Sequence, residues 1–419
     1  MNPMSYAGTS SSFGKYLILK LLDAIGNPPI AIALWSGTEA APPHVSPLGT
    51  VFIKNWRALA KLMFNPELFF GDCYSSGQIE VRGDLPEILL TVNRSMNGRR
   101  HAFWHGKLAS RYLDWIQAGS LVGSRKNIHH HYDIGTEFYK LWLDPQLLYT
   151  CAYFPDFTYT LEQAQIAKMN YVCDKVQLRP GERVVEAGCG WGALAIHMAK
   201  HYGVTVRAFN ISRDQIHYAR ERALQEGLSR KIEFVDEDYR NISGQYDVFI
   251  SVGMLEHVGV RHYKELGLLI DRCLTGQGRG FLHFIGRNRP SRLNSWIRRR
   301  IFPGACPPTL REAMDVFEDY DLSILDVENL RLHYARTLAC WLEKYEGSAD
   351  QVVAMFGPQF ARAWRLYLSG SVAAFRAGSM QLFQIIFARG SNNQIPWNRA
   401  YLYSTHDKER DAEWTPAMY

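Results

Sequence analysis

The sequence lacks an uninterrupted apolar run of the length that a membrane-spanning helix needs. A helix that crosses a bilayer takes about 20 consecutive apolar residues, whereas the stretch from Tyr16 to Leu22 contains Lys20 and is soon followed by Asp23. That stretch is also too interrupted for the apolar segment of a signal peptide. We therefore expect a cytoplasmic protein that meets any partner from the aqueous side.

Cysteine is sparse and scattered, and charge of either sign is moderate. The seven cysteines form no pair with metal-ligand spacing, and an odd, dispersed set is a poor disulfide framework. This favours a reducing compartment. Lys and Arg total 47 against 41 Asp and Glu, a net charge of +6, which is too weak to indicate a nucleic-acid binder by itself.

The chain does contain enough apolar material for two domains. Its 419 residues are 47% hydrophobic and 21% charged, and a chain of this size normally divides. Residues 1–120 indicate a small α+β domain and residues 121–419 a larger one, with a basic connection in Asn97 to Lys126. The predicted elements of the small domain are a helix near Tyr16, strands at Ala31–Trp35 and Gly49–Ile53, a helix at Trp56–Phe64, a hairpin at Gly77–Asp84 and a helix at Leu85–Asn93.

From Glu182 onward, short β-branched runs alternate with helical patterns. This alternation predicts a parallel sheet with helices on both faces. The predicted strands are Arg183–Glu186, Thr205–Phe209, Ile232–Val235, Val248–Val252, Gly280–Ile285, Leu322–Glu328 and Gln381–Ala388. Helices are predicted at Ala193–Tyr202, Arg213–Gly227 and His262–Leu274. The last two strands, separated by a long helical stretch, suit an antiparallel hairpin at the sheet edge.

A glycine-rich turn follows the first of these strands. Glu186 ends the strand, and Gly188, Gly190 and Gly192 form a Gly-x-Gly-x-Gly turn into a helix, which lets a ligand lie against the backbone and the free N–H groups of the helix start. NAD and FAD sites also use such turns. The spacing differs from the dinucleotide fingerprint, and no Asp or Glu directly ends the second strand, where Asn210 stands. An adenosylmethionine site is favoured over another nucleotide or a structural turn.

Several further motifs carry a resemblance to a known family. They are His130–Gly135, Phe138–Leu143, Tyr149–Phe154, Ser251–Gly259, His283–Ile285, Ile301–Gly304, His333–Tyr334 and Thr337–Leu338. Together with the glycine turn, they closely resemble the cyclopropane fatty acid synthase family, which includes the mycolic acid cyclopropane synthases and methyltransferases. The resemblance covers roughly residues 127 to 390. It implies an α/β class I methyltransferase fold with a seven-stranded, mostly parallel sheet, and a smaller N-terminal domain of the lipid-binding or dimerising type.

The resemblance also implies the site residues. S-adenosylmethionine would be bound by Tyr149, Thr150, the loop Glu186–Gly192, Asn210, Ser212, Gln215, Asp238 and Tyr239. A bicarbonate ion would be held by Cys151, Glu256, His283, Tyr334 and the backbone of Ile285. Each of the four side chains also has a structural interpretation. Cys151 would be a small buried thiol, Glu256 a helix N-terminal carboxylate, His283 a core histidine and Tyr334 an aromatic helix cap. His129, His130 and His131 resemble a metal tract, but without a second ligand cluster we expect no metal.

A basic cluster lies between Gly286 and Arg300. It consists of Arg287, Arg289, Arg292, Arg298, Arg299 and Arg300, with no acidic residue. We expect these arginines to rest on anionic headgroups while Trp296, Ile297 and Phe302 dip into the interface. A solvated basic face or a nucleic-acid patch is the alternative, but no nucleic-acid motif accompanies it. The enzyme would then be peripheral at the inner face of the membrane, and the resemblance allows a homodimer.

The segment after Gly304 departs from the family. Many members continue with Gly, an apolar residue and Leu-Pro-Ser, whereas this chain has Ala305-Cys306-Pro307-Pro308-Thr309. The side from which an acyl chain would enter is therefore expected to differ.

Three functions remain open on the sequence. The first is methyl transfer to the cis double bond of an unsaturated phospholipid acyl chain, followed by closure of a cyclopropane ring. The second is the same transfer with a methyl-branched or methylene product. The third is a lipid-binding scaffold that has lost activity, although neither a degraded loop nor a missing carboxylate is visible. A methyltransferase for a small soluble molecule would leave the basic and aromatic patch unexplained.

Overall fold

The computed structural model describes residues 7–97 and 134–403. The three histidines at positions 129–131, the adjoining Tyr132 and Asp133, and the basic connection after Asn97 lie outside the described residues. Every described helix lacks either the length or the apolar composition needed to cross a membrane.

Residues 7–97 form a four-stranded sheet with helices packed on it. The helices are α1 (Ala7–Ala24), α2 (Trp56–Phe64), α3 (Pro66–Ser75) and α4 (Leu85–Asn97), and the strands are β1 (Ala31–Leu34), β2 (Glu39–Ala40), β3 (Thr50–Ile53) and β4 (Ile79–Arg82). The strand order is β2-β1-β3-β4. The predicted hairpin at Gly77–Asp84 is wrong, because this segment contributes the single strand β4, which pairs with β3.

Helix α3 was not predicted, and local chemistry explains its separate existence. Asn65 ends α2, and its side chain accepts a hydrogen bond from the backbone N–H of Leu68. Pro66 then occupies the first turn, where a missing N–H costs nothing. Two short helices therefore meet at an angle where the sequence pattern predicts only one.

The second sheet has seven strands in the order β10-β11-β9-β8-β5-β6-β7. Its strands are β5 (Arg183–Ala187), β6 (Thr205–Asn210), β7 (Ile232–Asp236), β8 (Tyr246–Val252), β9 (Leu274–Gly286), β10 (Leu322–Asn329) and β11 (Gln381–Arg389). β5 to β9 pair in parallel, and β11 is antiparallel to both neighbours. The predicted class I methyltransferase sheet is confirmed, including its antiparallel edge.

The helices of this part surround the sheet, whose central strands are apolar because both faces are covered. They are α5 (Thr136–Lys140), α6 (Leu161–Lys175), α7 (Ala193–His201), α8 (Arg213–Gln225), α9 (Leu255–Val258), α10 (Tyr263–Cys273), α11 (Leu310–Ala313), α12 (Arg331–Gly347), α13 (Ala349–Phe356) and α14 (Pro358–Arg376). Strand order reverses between β5 and β8, and ligands of open α/β sheets bind at the carboxyl ends of strands beside such a point.

Helix α14 joins the two sheets. Arg362 donates through Nε to the carbonyl of Tyr74 at 2.7 Å and through Nη2 to that of Ile79 at 2.8 Å. Arg365 donates to the Tyr74 hydroxyl at 3.0 Å. Arg300 forms an ion pair with Asp72 at 3.0 Å. The smaller unit is therefore held against the larger one by hydrogen bonds as well as by apolar packing.

Gly71 of the smaller unit lies directly against Trp296 of the larger one. A larger residue at position 71 should therefore destabilise the protein. A Cβ at this position would lie 2.4 Å from a ring atom of Trp296. We expect Gly71→Ala to lower the free energy of unfolding by about 1–3 kcal/mol, as overpacking of a filled site does. Gly347→Ala is the matched control, because a Cβ there has no neighbour within 4 Å in the described ranges 7–97 and 134–403. Equal melting temperatures for the two variants would show that Trp296 leaves room for a side chain at position 71.

Candidate active site

A cavity of about 830 Å³ opens over the carboxyl ends of β5, β8 and β9 and continues into the smaller unit. The glycine turn between β5 and α7 forms part of its wall. Gly188, Gly190 and Gly192 have φ values of 85°, 53° and 78°, which residues other than glycine seldom adopt. A Cβ at Gly192 would lie 2.7 Å from Phe234, whereas one at Gly190 would meet no atom of the described residues within 4 Å. Gly192 therefore allows the turn to pack, and Gly190 leaves open space.

Asn210, at the end of β6, ties the turn to the next helix. Its Nδ2 donates to the carbonyl of Gly190 at 3.2 Å and to Oε1 of Gln215 at 2.7 Å. Its Oδ1 accepts from the backbone N–H of Ile211 at 2.8 Å. These bonds hold polar groups in place beside the open side of Gly190. Such an arrangement suits the binding of a nucleoside.

Glu186 is an incompletely satisfied buried carboxyl at the end of β5. It is 2% exposed, and its Oε2 has no hydrogen-bond partner among the described residues. Burial raises the pKa of Glu186 to about 8, against the opposing charge of Lys168. A buried polar atom without a partner usually indicates a missing ligand or water. A cationic amino group, such as that of a methionine moiety, would satisfy this carboxyl.

Glu256 lies on α9, just after β8, and is a second carboxyl of the same kind. It is 5% exposed. Its Oε1 accepts from the backbone N–H of Ile285 at 3.4 Å, and its Oε2 has no partner among the described residues. Burial raises the pKa of Glu256 to about 7. The group can therefore hold or release a proton near neutral pH.

His283 lies on β9, which pairs with β8, the strand that precedes Glu256. Its side chain is also buried, at 2% exposed. Its Nδ1 lies 3.1 Å from Nε2 of Gln384. Burial lowers the pKa of His283 well below its usual range, so the ring is neutral at physiological pH. Its backbone carbonyl accepts from Gly253 at 2.8 Å, which fixes the end of β8 against β9.

Cys151 and Tyr334 complete the apolar side of the site. The Cys151 thiol is 1% exposed and donates to the carbonyl of Ala152 at 3.1 Å. Burial raises the pKa of Cys151, so it stays a neutral thiol and is no nucleophile. Helix α12 brings Tyr334 to this segment, and Thr337 of the same helix accepts from the Ala152 N–H at 3.0 Å.

Most of the predicted site residues share this one cavity. Its wall contains Tyr149, Thr150, Cys151, Glu186, Gly188, Gly190, Asn210, Gln215, Glu256, His283, Ile285 and Tyr334. Four predicted cofactor residues are not among those that line it: Gly192, Ser212, Asp238 and Tyr239. Gly192 packs against Phe234, and Asp238 caps a short turn by accepting from the Arg240 N–H at 3.0 Å.

Sequence reasoning missed two polar residues on the buried face of α6. Lys168 is 1% exposed, lines the cavity and donates to the Thr150 hydroxyl at 2.9 Å. Gln165 is fully buried and donates to the carbonyls of Leu148 and Thr150. Both lie at helical spacing with the buried Leu161, Ala164 and Val172. Polar residues within an apolar stripe were the available signal.

The prediction that Trp296 dips into a membrane interface is wrong. Its side chain is 4% exposed and covers Gly71 of α3. Arg287 is buried as well and donates to the carbonyl and hydroxyl of Ser291. Arg287 therefore stabilises its own segment, and Arg300, although exposed, pairs with Asp72 of the smaller unit. Arg289, Arg292 and Arg299 are also exposed.

Residues 120–385 match the family model described as mycolic acid cyclopropane synthetase. The chain is 38% identical to the cyclopropane-fatty-acyl-phospholipid synthase of Escherichia coli over 349 residues, covering 83% of this chain and 84% of that protein. It is 31% identical to a probable fatty acid methyltransferase of Pseudomonas putida over 403 residues, covering 90% and 96%.

The fold matches a solved structure of a mycolic acid cyclopropane synthase in complex with SAH and CTAB. The TM-score is 0.60 at 27% sequence identity, over 63% of this chain and 98% of that chain.

Proposed function

Because this chain belongs to the mycolic acid cyclopropane synthetase family and is an S-adenosylmethionine-dependent methyltransferase, we propose that it closes a cyclopropane ring on the cis double bond of an unsaturated phospholipid acyl chain. One observation carries this proposal: the glycine turn and the buried Glu256 and His283 line the same largely apolar cavity.

The residues at the turn fit the cofactor. The Oε2 of Glu186, which has no partner within residues 7–97 and 134–403, would accept from the amino group of the cofactor, and the open side of Gly190 leaves room for the cofactor beside Asn210. When bound, S-adenosylmethionine supplies an electrophilic methyl group, which a weakly nucleophilic alkene needs. The chain's own contribution is to exclude water and to hold the double bond in line.

Ring closure requires a base within the cavity. After methyl transfer the acyl chain carries a positive charge, and a proton must leave the new methyl group so that its C–H electrons close the ring. We propose that the cavity holds a bicarbonate ion, which would supply the base for this proton. Glu256 would hold the ion by a shared proton, and His283, Tyr334, Cys151 and the Ile285 backbone complete the set. The raised pKa of Glu256 supports this role, as does its Oε2, which has no hydrogen-bond partner in the part of the chain that the structure describes.

The cavity provides a place for the acyl chain. Beyond the polar end it is lined by apolar side chains of the smaller sheet and its helices, including Ile32, Val51, Ile53, Leu62 and Phe70. We propose that residues 1–120 are a lipid-binding domain whose interior takes the distal part of the chain. Ala305 and Pro307, in the segment that departs from the family, also line the cavity, and we propose that they shape chain selection.

The exposed arginines support a peripheral position at the membrane. Arg289, Arg292 and Arg299 are exposed near the cavity-lining residues Leu293 and Ile297. Guanidinium groups bind lipid phosphates well. We propose that this face rests on anionic headgroups at the cytoplasmic side and that no nucleic acid is bound.

A methyl-branched or methylene product is the alternative. The similarity to a probable fatty acid methyltransferase of Pseudomonas putida over nearly the whole chain favours it. The same residues would deliver the methyl group, and only the position of the lost proton would differ.

Product analysis separates the two candidates. Purified protein is incubated with methyl-labelled S-adenosylmethionine and vesicles of an anionic phospholipid that carries one cis-unsaturated chain. We expect the label in a cyclopropane methylene group, observed by NMR and mass spectrometry, and none in vesicles with saturated chains. A label in a branched methyl or an olefinic group would favour the alternative, and no label in lipid would refute both.

A further inference from the structure

Gln384 lies between two buried ionisable side chains. It stands on β11 directly opposite His283 on β9. Its Nε2 is 3.1 Å from Nδ1 of His283, and its Oε1 is 2.6 Å from Nζ of Lys175. Gln384 is 0% and Lys175 2% exposed. Bulk water therefore does not compete for these bonds.

Lys175 is itself held from the other side. It is the last residue of α6, and its Nζ donates to Oε2 of Glu328 at 2.5 Å. The same oxygen accepts from the Tyr171 hydroxyl at 3.0 Å. A line of polar groups thus runs from Glu328, at the sheet edge, through Lys175 and Gln384 to the cavity.

The donor and acceptor roles along this line follow from chemistry. The ammonium of Lys175, held by the Glu328 carboxylate, can only donate. The oxygen of the Gln384 amide must therefore face Lys175, and its NH₂ group must face His283. An NH₂ group donates, so Nδ1 of His283 has to accept, and the ring proton is left on Nε2. This assignment follows from the positive charge of Lys175, which fixes the orientation of the Gln384 amide.

We propose that Gln384 is a positioning residue, which holds His283 in the tautomer protonated on Nε2 so that the ring presents a donor to the cavity. The proposal rests on the proposed function, because a donor is useful there only if a small anion binds. A ring protonated on Nδ1 would turn a lone pair toward the same anion. Lys175 acts one step further back, by orienting the amide.

The tautomer can be observed directly. Protein with ¹⁵N-labelled histidine gives two-bond ¹H–¹⁵N correlations that distinguish a protonated from an unprotonated ring nitrogen, and His283→Gln assigns the signals of His283. We expect an unprotonated Nδ1 and a protonated Nε2. The opposite pattern in the unaltered protein would overturn the proposal without any variant having to fold.

Gln384→Glu tests the consequence for catalysis. A carboxylate beside Lys175 accepts from both neighbours, so the proton of His283 should move to Nδ1. We expect kcat to fall on the order of 100-fold, by analogy with other lost outer partners and reversed tautomers. The KM for lipid and the Kd for S-adenosylmethionine should change little, because Gln384 is not among the residues that line the cavity.

Gln381→Glu is the matched control. It puts a carboxylate on the same strand at a residue that is 4% exposed and hydrogen-bonds Asn329 and Gly378. We expect it to keep the tautomer of His283 and most of kcat. A reversed tautomer with full turnover in Gln384→Glu would refute the positioning role. If the unaltered protein transfers no label to lipid, the proposed function fails, while the tautomer is still measured.

Discussion

Glu256→Gln should abolish transfer of labelled methyl groups into lipid while leaving the affinity for S-adenosylmethionine nearly unchanged. The amide has no proton to share with a small anion, and its NH₂ group could not accept from the anion's own O–H. Positioned acid–base groups contribute about 10²–10⁴-fold to a rate, so we expect a loss in that range or beyond. Label transfer measures turnover, and isothermal titration measures cofactor binding.

Glu318→Gln serves as the control for this substitution, because Glu318 is exposed and outside the cavity wall. It should retain full turnover. Loss of cofactor binding together with turnover in Glu256→Gln would mean that this carboxyl belongs to the cofactor end of the cavity, and the assignment of the anion site would then be wrong.

Thermal unfolding separates a lost base from a lost fold. The pKa of Glu256 is raised from 4.5 to about 7 in the folded protein, so the stability this group contributes is fully present below pH 4.5 and is lost as pH rises toward 7. The unaltered protein therefore carries a destabilising carboxylate at pH 8. Glutamine removes it, so Glu256→Gln should melt at a higher temperature than the unaltered protein at pH 8, with a smaller difference at pH 5.

Sequence patterns were sufficient for the larger sheet because its signals are local. The apolar run around Val185 is typical of a buried strand, and the turn from Gly188 to Gly192 needs backbone angles that glycine adopts readily. Glu256 follows the end of β8, and His283 lies near the end of β9. The carboxyl ends of neighbouring parallel strands meet at one edge of the sheet. The shared cavity of these residues is thus a consequence of topology that the sequence already contained.

The features that escaped prediction depend on tertiary contacts. Trp296 has the composition of a membrane anchor in sequence, but it is buried because Gly71, more than two hundred positions earlier, leaves room for its ring. Gln384 has ordinary strand neighbours, and its role depends on Lys175 and His283 from two other elements. The continuation of the cavity into the smaller unit likewise depends on how α14 docks it. No pattern within a short stretch of sequence indicates these tertiary contacts.

Gly190→Val should weaken S-adenosylmethionine binding on the order of 100-fold, a loss of about 3 kcal/mol. Gly190 lines the cavity with φ at 53°, and among the residues that the structure describes no atom lies within 4 Å of a Cβ built there. The branched side chain would therefore fill space that the ligand needs.

Backbone strain alone would also accompany this change, at about 1–2 kcal/mol for a side chain in the left-handed region. Gly181→Val separates strain from blocking, because Gly181 has φ at 86°, equally open surroundings and a place outside the cavity wall. Both variants should lose thermal stability, and only Gly190→Val should lose cofactor affinity in isothermal titration. Equal affinities would mean that the ligand does not approach the turn at Gly190, and the cofactor site would then have to lie elsewhere along the cavity.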